Sequence, residues 1–387
     1  MSSANPLKGI TVVEVGHTVA APYAGMILAE LGADVVKVES PGSGDYSRGM
    51  PPFRDGKSAV FQALNRNKRS IAIDLADAAQ AERLRGFVLE RGDVLVHNLK
   101  FGAMAKLGFG ADDLLARKPS LVYCNIGAFG AVGPNRDRPG YDPLVQAFSG
   151  LMSIMGEDGR APVRVGVSIT DMAAGLWSAI GIQAALIERT RTGRGGVVDT
   201  SLVETGLGWL AYHFSSYFVS GRLPRREGSG LAQIVPYQAF ATADSYLMVA
   251  AGNDGIFRKL CGALGLPQLS SDPRFAANKD RVANRSILIP MLEAEFAKAT
   301  AAIWLERLGA AGVPCSPINT IDQVVDDPQT RALGVFQRSP DGSETLLGLP
   351  VYDLGLVLTI VAAVLTLWSM VAYMRAAWPD LRGSLHA

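Results

Sequence analysis

The chain has 387 residues, of which 48% are hydrophobic and 19% charged, and its formal net charge is +1. That length exceeds what one compact core usually serves, so two domains are expected. Acids and bases are interspersed, which excludes a global basic field of the kind that holds nucleic acid; a polyanionic ligand would need local basic clusters.

Cys124, Cys261 and Cys315 lie far apart and form no CxxC pair. This argues against a disulfide framework and against a zinc site, and for buried filler in a reducing cytoplasm. Met1 to Lys8 is short and polar and lacks the apolar centre of a signal peptide.

The chain opens as β–α–β. Ile10 to Val15 is an apolar, β-rich run. Pro22 suits the first turn of a helix carrying Ala24, Met26, Ile27 and Leu31, Gly32 ends it, and Val35, Val36 and Val38 start a second strand. Strand runs recur at Ser70–Leu75, Val94–Val96, Leu121–Ile126 and Gly196–Val198 with helical stretches between several of them. The alternation predicts an α/β, Rossmann-like domain on a largely parallel sheet. The loop Gly16-His17-Thr18-Val19-Ala20-Ala21-Pro22 lacks the glycine triplet of a nicotinamide site, so Glu39 at the end of the second strand is a weak candidate for a ribose-binding acid.

In Val165-Gly166-Val167-Ser168-Ile169-Thr170-Asp171, a glycine-punctuated loop runs into a long apolar helix, expected over Asp171–Thr190 with Leu176, Trp177, Ile180, Ala184 and Ile187 on one face. Thr170 is the expected N-cap. Asp171 then stands on the first turn, where the helix dipole favours a carboxylate by about 0.3–1 kcal/mol. An ionised carboxylate there is a usable acyl nucleophile, or simply a helix-start acid. Ser201 to Ser220 reads as a second helix, and Arg222 to Gly230 as a linker. A smaller α+β unit follows, with strands at Tyr237–Thr242 and Tyr246–Ala251, helices around Phe257–Leu264, Ile287–Lys298 and Ile303–Ala311, and a return toward the first domain over Pro314–Ile318. The domain expectation is therefore 1–220 for the large domain, 221–233 for the linker, 234–318 for the small domain, 319–350 for a return segment and 351–387 for an atypical tail.

Other features carry weight only together: His17 past the first strand, the loop Pro41–Gly49, the basic run Asn65-Arg66-Asn67-Lys68-Arg69, the segment Asn98-Leu99-Lys100 with Lys106, and Gly140-Tyr141-Asp142. Each alone reads equally as a solvated loop or a satisfied core residue. Their order, with Gly32-Ala33-Asp34-Val35-Val36-Lys37-Val38-Glu39, Asn67-Lys68-Arg69-Ser70-Ile71, Thr192-Gly193-Arg194-Gly195, Asp272-Pro273-Arg274-Phe275 and Gly312-Val313-Pro314-Cys315, resembles the class III coenzyme A transferase family, the formyl-CoA, carnitine-CoA and succinyl-CoA type. The resemblance runs from about Leu7 to about Pro350.

The resemblance implies that Asp171 is the nucleophile and that His17, Ala20, Asn98, Lys106 and Tyr141 contact coenzyme A. Val19 stands where oxalate-using members carry glutamine. Ser40 stands where an arginine often meets the nucleotide, which leaves the phosphates to Lys68, Arg69 or Lys100. A shielding glycine loop is reduced to Ala251-Gly252-Asn253-Asp254-Gly255. Coenzyme A is a substrate, and no metal or redox cofactor is expected. An interlocked homodimer is implied. Two rivals stand beside this reading. A 2-methylacyl-CoA racemase of the same superfamily would need a histidine where Tyr141 stands. An inactive, membrane-tethered CoA-binding protein is suggested by the tail.

That tail, Leu354 to Met374, is an uncharged run long enough to cross a bilayer, with Trp368, Tyr373 and Trp378 near its far end and Arg375 and Arg382 after it. From Tyr352 onward it resembles the last span of a CDP-alcohol phosphatidyltransferase. The basic flank places the C-terminus inside, where the catalytic domain is also expected, and one span cannot satisfy both. A fusion or frameshift scar is the expected origin, with membrane contact through 354–374.

Overall fold

The computed structural model of the protein describes residues 5–338 and 344–346. Six strands, β1 (Thr11–Val15), β2 (Asp34–Glu39), β3 (Lys68–Ala72), β4 (Val94–His97), β5 (Val122–Gly127) and β6 (Gly196–Ser201), form one sheet in the order β3-β2-β1-β4-β5-β6. Every neighbouring pair is parallel. Val12, Val13, Val35, Val36, Val94, Leu95 and Val96 are buried, as expected of parallel strands covered on both faces. The chain runs outward from β1 through β2 to β3, then returns to place β4 on the other side of β1. A sheet of this kind binds ligands outside the carboxyl ends of its strands, where the order reverses.

The helices of the chain include α1 (Ala20–Glu30), α2 (Ala78–Arg91), α3 (Asp142–Ser149) and α4 (Ile169–Thr192). The chain divides into two compact units. The sheet unit holds residues up to Pro139, Asp171–Leu202 and the described residues from Arg331 onward; the second holds Gly140–Thr170 and Val203–Thr330. These boundaries differ from those drawn from the sequence. The stretch 140–170 joins the second unit because Thr205 Oγ1 donates to the Thr170 carbonyl at 3.2 Å, and Gly228 N–H donates to the Gly156 carbonyl at 2.9 Å. Arg222–Gly230 is therefore no inter-domain linker: Glu227 bridges Glu157 and pairs with Arg285 inside the second unit. The expected helix over 201–220 is two, Leu202–Trp209 and Ala211–Ser220.

The second unit carries an antiparallel sheet of β7 (Tyr237–Ala241), β8 (Tyr246–Ala250) and β9 (Cys315–Pro317), in the order β9-β8-β7. Pro314–Ile318 is thus mainly an edge strand, with Cys315 paired to Val249 and Pro317 to Leu247, rather than a return segment. Its core includes Phe240, Phe257, Phe296 and Trp304; Trp304 satisfies its indole N–H on the Phe296 carbonyl at 2.7 Å. Cys124, Cys261 and Cys315 are all unpaired, and the first two are buried.

Among the described residues α4 is long and apolar enough to cross a membrane. It packs on the sheet instead, through Ser178 Oγ to Thr200 Oγ1 at 2.6 Å. The span expected over 354–374 lies outside the described residues.

Candidate active site

Helix α4 runs against the strand direction. Its last turn is fixed at the strand starts: Arg189 pairs with Asp93 at 2.9 Å, just before β4, and Gly195 N–H donates to the Pro119 carbonyl at 2.8 Å. Its first turn therefore lies at the carboxyl ends, on the side where ligands bind. Asp171 is the acid of that turn and is half-buried. One turn on, on the same helix face, Gly175 meets α1 so closely that a Cβ there would stand 2.6 Å from the Ala20 carbonyl oxygen. Asp171 and the loop between β1 and α1 are thereby brought to one corner of the sheet unit.

Thr170 is not the N-cap, since α4 begins at Ile169. Within the second unit, the buried Asp142 carboxylate accepts both the Thr170 N–H and the Thr170 Oγ1 hydroxyl at 2.7 Å. Gln146 donates to the other Asp142 oxygen at 2.6 Å and accepts the Val165 N–H at 2.8 Å. Asp142 and Gln146 thus satisfy backbone donors of the loop and first turn that would otherwise be orphaned, and fix the residue preceding Asp171. Neither stood out in the sequence as a site residue.

The loop after β1 is held from three sides. Asn98, just past β4, accepts the His17 N–H at 3.0 Å and donates to the His17 carbonyl at 2.9 Å. Lys37 donates to the Gly16 carbonyl at 2.9 Å. Asp45 accepts the Thr18 N–H at 3.0 Å. Thr18 has φ +68°, left-handed backbone that a β-branched residue rarely adopts. Gly16 is required by proximity: a Cβ would lie 2.4 Å from the Ala21 Cβ. The His17 ring is exposed, with Nδ1 at 3.0 Å from Thr18 Oγ1.

Beneath the loop lies a buried ionic cluster. Lys37 bridges Glu14 and Asp45 at 2.8 Å each, and Lys68 meets Glu14 at 2.8 Å. Two carboxylates and two ammonium groups cancel, and every one has a partner, as a buried cluster requires. Burial works against charge on Asp45, but the Lys37 ammonium and the hydrogen bonds from Lys37, Thr18 and Ser47 outweigh it and bring the carboxyl down to about 2. Burial also disfavours charge on Lys37, yet Glu14 and Asp45 leave it raised above its ordinary value. For Lys68 burial wins over Glu14 and lowers the ammonium to about 8.

Ala20 is buried at the start of α1, with the partly buried Val19 before it. Lys100 and Lys106 are exposed on the segment following β4. Lys68 gives its ammonium to Glu14, the Pro22 carbonyl and Asn65 Oδ1. Arg69 is exposed and paired through both nitrogens with Asp34. Glu39 is no open ribose acceptor: it receives Arg48 on both oxygens at 2.7 Å, and also the Asp45 N–H and the Ser70 hydroxyl. Burial opposes its charge, but Arg48, Ser70 and Asp45 N–H lower it to about 2.

In the second unit Tyr141 is 65% exposed, so it is not a satisfied core tyrosine. The Gly252–Asn253 turn is pinned rather than loose: the buried Arg281 donates to the Gly252 carbonyl, and Asn253 caps the helix Asp254–Ala263 by accepting the Gly255 and Ile256 N–H groups. Among the described residues no His, Cys, Asp or Glu cluster could hold a metal ion.

The sequence profile of CoA-transferase family III matches residues 7–355. A succinate–glutarate CoA-transferase from Agrobacterium fabrum is 40% identical over 337 residues, covering 85% of this chain and 84% of that protein. An acetyl-CoA:oxalate CoA-transferase from Acetobacter aceti is 35% identical over 350 residues, covering 89% and 88%. The crystal structure of a CAIB/BAIF family protein from Brucella suis superposes with a TM-score of 0.80 at 41% identity, covering 90% of this chain and 92% of that one. The resemblance of the tail to a phosphatidyltransferase finds no support: the family match runs to residue 355, past the point where that likeness was placed.

Proposed function

The chain belongs to CoA-transferase family III, and from that premise we propose that it moves coenzyme A from a dicarboxylyl-CoA donor, succinyl-CoA in the first instance, to a small dicarboxylic acid, with Asp171 as the covalent carrier. The observation that carries this reading is the placement of Asp171 on the first turn of α4, beside the loop at the reversal of strand order. The similarity to a succinate–glutarate enzyme supports the substrate class, and Val19 in place of glutamine argues against oxalate.

In the proposed cycle an Asp171 oxygen attacks the thioester carbonyl, the C–S bond breaks and CoA thiolate leaves, giving a mixed anhydride. The thiolate attacks the aspartyl carbonyl and releases the donor acid, leaving an aspartyl-CoA thioester. The acceptor carboxylate attacks that carbonyl and expels the thiolate to form a second anhydride. The thiolate then takes the acceptor acyl group and frees Asp171. One carboxylate is exchanged for another, with no net proton or electron consumed. Both anhydrides are water-labile, so water must be kept out during turnover.

His17, Ala20, Lys100 and Lys106 are proposed to meet coenzyme A in the sheet unit, with Arg69 as a further phosphate partner. By family likeness Tyr141 is proposed as a further coenzyme A contact, and Gly252 and Asn253 as substrate-loop residues. Lys68 is assigned to the Glu14 cluster instead, because its ammonium is already enclosed. The reaction is placed in the cytoplasm.

The test is a mass-spectrometric screen of acyl-CoA donors against carboxylic acids. Succinyl-CoA with glutarate should give glutaryl-CoA, and Asp171→Ala should lower the rate by at least about 10³-fold, as loss of a covalent nucleophile does. No α-proton is removed in this cycle, so solvent deuterium appearing at an acyl α-carbon would point to racemisation instead.

A further inference from the structure

We propose that Asp45 and Asn98 are positioning residues that hold the Gly16–Thr18 turn in its coenzyme-binding form before substrate arrives. This rests on the reading of that turn as part of the coenzyme A site. Thr18 occupies left-handed backbone at φ +68°, which sterics disfavour for a β-branched residue, so something must hold it there. Asp45 does so at the Thr18 N–H, and Asn98 closes two bonds on the peptide groups of His17.

Asp45 is 2% exposed and cannot itself be a ligand contact. Its second oxygen pairs with Lys37, and Lys37 also holds the Gly16 carbonyl, so the buried cluster grips both ends of the turn. Both Asn98 amide ends face His17, which makes Asn98 a brace acting through that residue. The whole device sits at the reversal of strand order between β1 and β4. Without the braces the turn would spend most of its time in other conformations, and apparent affinity would fall by the fraction still competent.

A double-mutant cycle tests this, reading the Kd for free coenzyme A by calorimetry and the KM and kcat for transfer. Asn98→Ala and Asp45→Ala should each raise Kd and KM about 10-fold while kcat falls less than about 3-fold, as expected if only about a tenth of the population stays competent. Glycine adopts left-handed backbone without penalty, so in a Thr18→Gly background the Kd loss from either substitution should be at least about 3-fold smaller. An equal loss in both backgrounds would overturn the proposal and make Asn98 a direct ligand contact; an unchanged Kd in the single variants would overturn it too. If Asp45→Ala does not fold, the Asn98 cycle decides alone. Because calorimetry reads binding and not chemistry, the cycle keeps its meaning even if Asp171 proves not to be the nucleophile.

Discussion

The start of α4 is held by an acid whose oxygens are both engaged in hydrogen bonds. Asp142 is buried and bonded to the Thr170 N–H, Thr170 Oγ1 and Gln146. Asp142→Ala leaves two donors unsatisfied at the start of α4, and should cost about 1–2 kcal/mol of stability. It should also lower kcat by an order of magnitude or more, because small misplacements of a reacting group are expensive; denaturant unfolding with steady-state kinetics checks both. The pH dependence of stability follows from the same kind of placement. His97 is buried against the Tyr123 hydroxyl at 3.0 Å, and burial lowers its ring to about 4. An unfolded histidine titrates near 6.5, so the unfolded chain binds more protons between those values, and stability is lost as pH falls from about 6.5 to about 4. Glu39 and Asp45, lowered to about 2, contribute stability that is intact above about 4 and lost as pH falls from there toward 2. Urea midpoints should therefore decline below about pH 6.5 and steepen below about pH 4; a midpoint flat from pH 7 to pH 3 would contradict these placements.

Helix α4 shows what could be read from sequence and what could not. Its existence and Asp171 at its head were legible, since a glycine-bearing loop, an acid and a long apolar run are local signals. The buried face was not. Leu176, Trp177, Ile180 and Ile187 recur at helical spacing yet are 38–71% exposed, while Ala174, Ser178, Ala179 and Ile182 are buried. At Gly175 and Gly181 the helix approaches α1 and Val198 so closely that an added Cβ would lie 2.6 Å from them, and hydrophobicity alone does not report closeness. Most strand positions were legible for a similar reason, as valine-rich runs between turn residues; β3 was not, since it has no valine and runs over Lys68–Ala72 rather than the expected Ser70–Leu75. The clamp on the β1–α1 loop was not, because it joins Lys37, Asp45 and Asn98 across sequence gaps that no local pattern spans. A signal was present in Glu14 and Lys37, charges set inside apolar strands, which need partners when buried. The close approach itself is testable. Gly86→Ala in α2, where an added Cβ meets nothing within 4 Å, should stabilise by about 0.5–1 kcal/mol. Gly175→Ala, facing the Ala20 carbonyl oxygen at 2.6 Å, should destabilise by about 1–3 kcal/mol and impair transfer. A neutral or stabilising Gly175→Ala would contradict the packing of α4 on α1.

At the scale of the molecule, several large apolar side chains are exposed among the described residues. Trp177 is 56% exposed, Ile187 71%, Phe218 77% and Val219 90%. Trp177 and Ile187 belong to the sheet unit, Phe218 and Val219 to the second unit. With the family likeness, these exposed side chains lead us to propose that the protein is a homodimer. Light scattering should give twice the chain mass across a wide concentration range; a monomer would contradict it. The uncharged run 354–374 lies mostly past the family match, which ends at residue 355. Truncation after Pro350 should raise the soluble fraction if that run contacts lipid or drives aggregation, and a fully soluble, monodisperse full-length protein would contradict that expectation.

The most direct test is chemical trapping during turnover. Hydroxylamine or borohydride added to enzyme exchanging coenzyme A between succinyl-CoA and glutarate should modify the peptide carrying Asp171, at that side chain and only when donor is present. Sustained exchange with the Asp171 peptide unmodified would contradict the covalent role of this carboxylate.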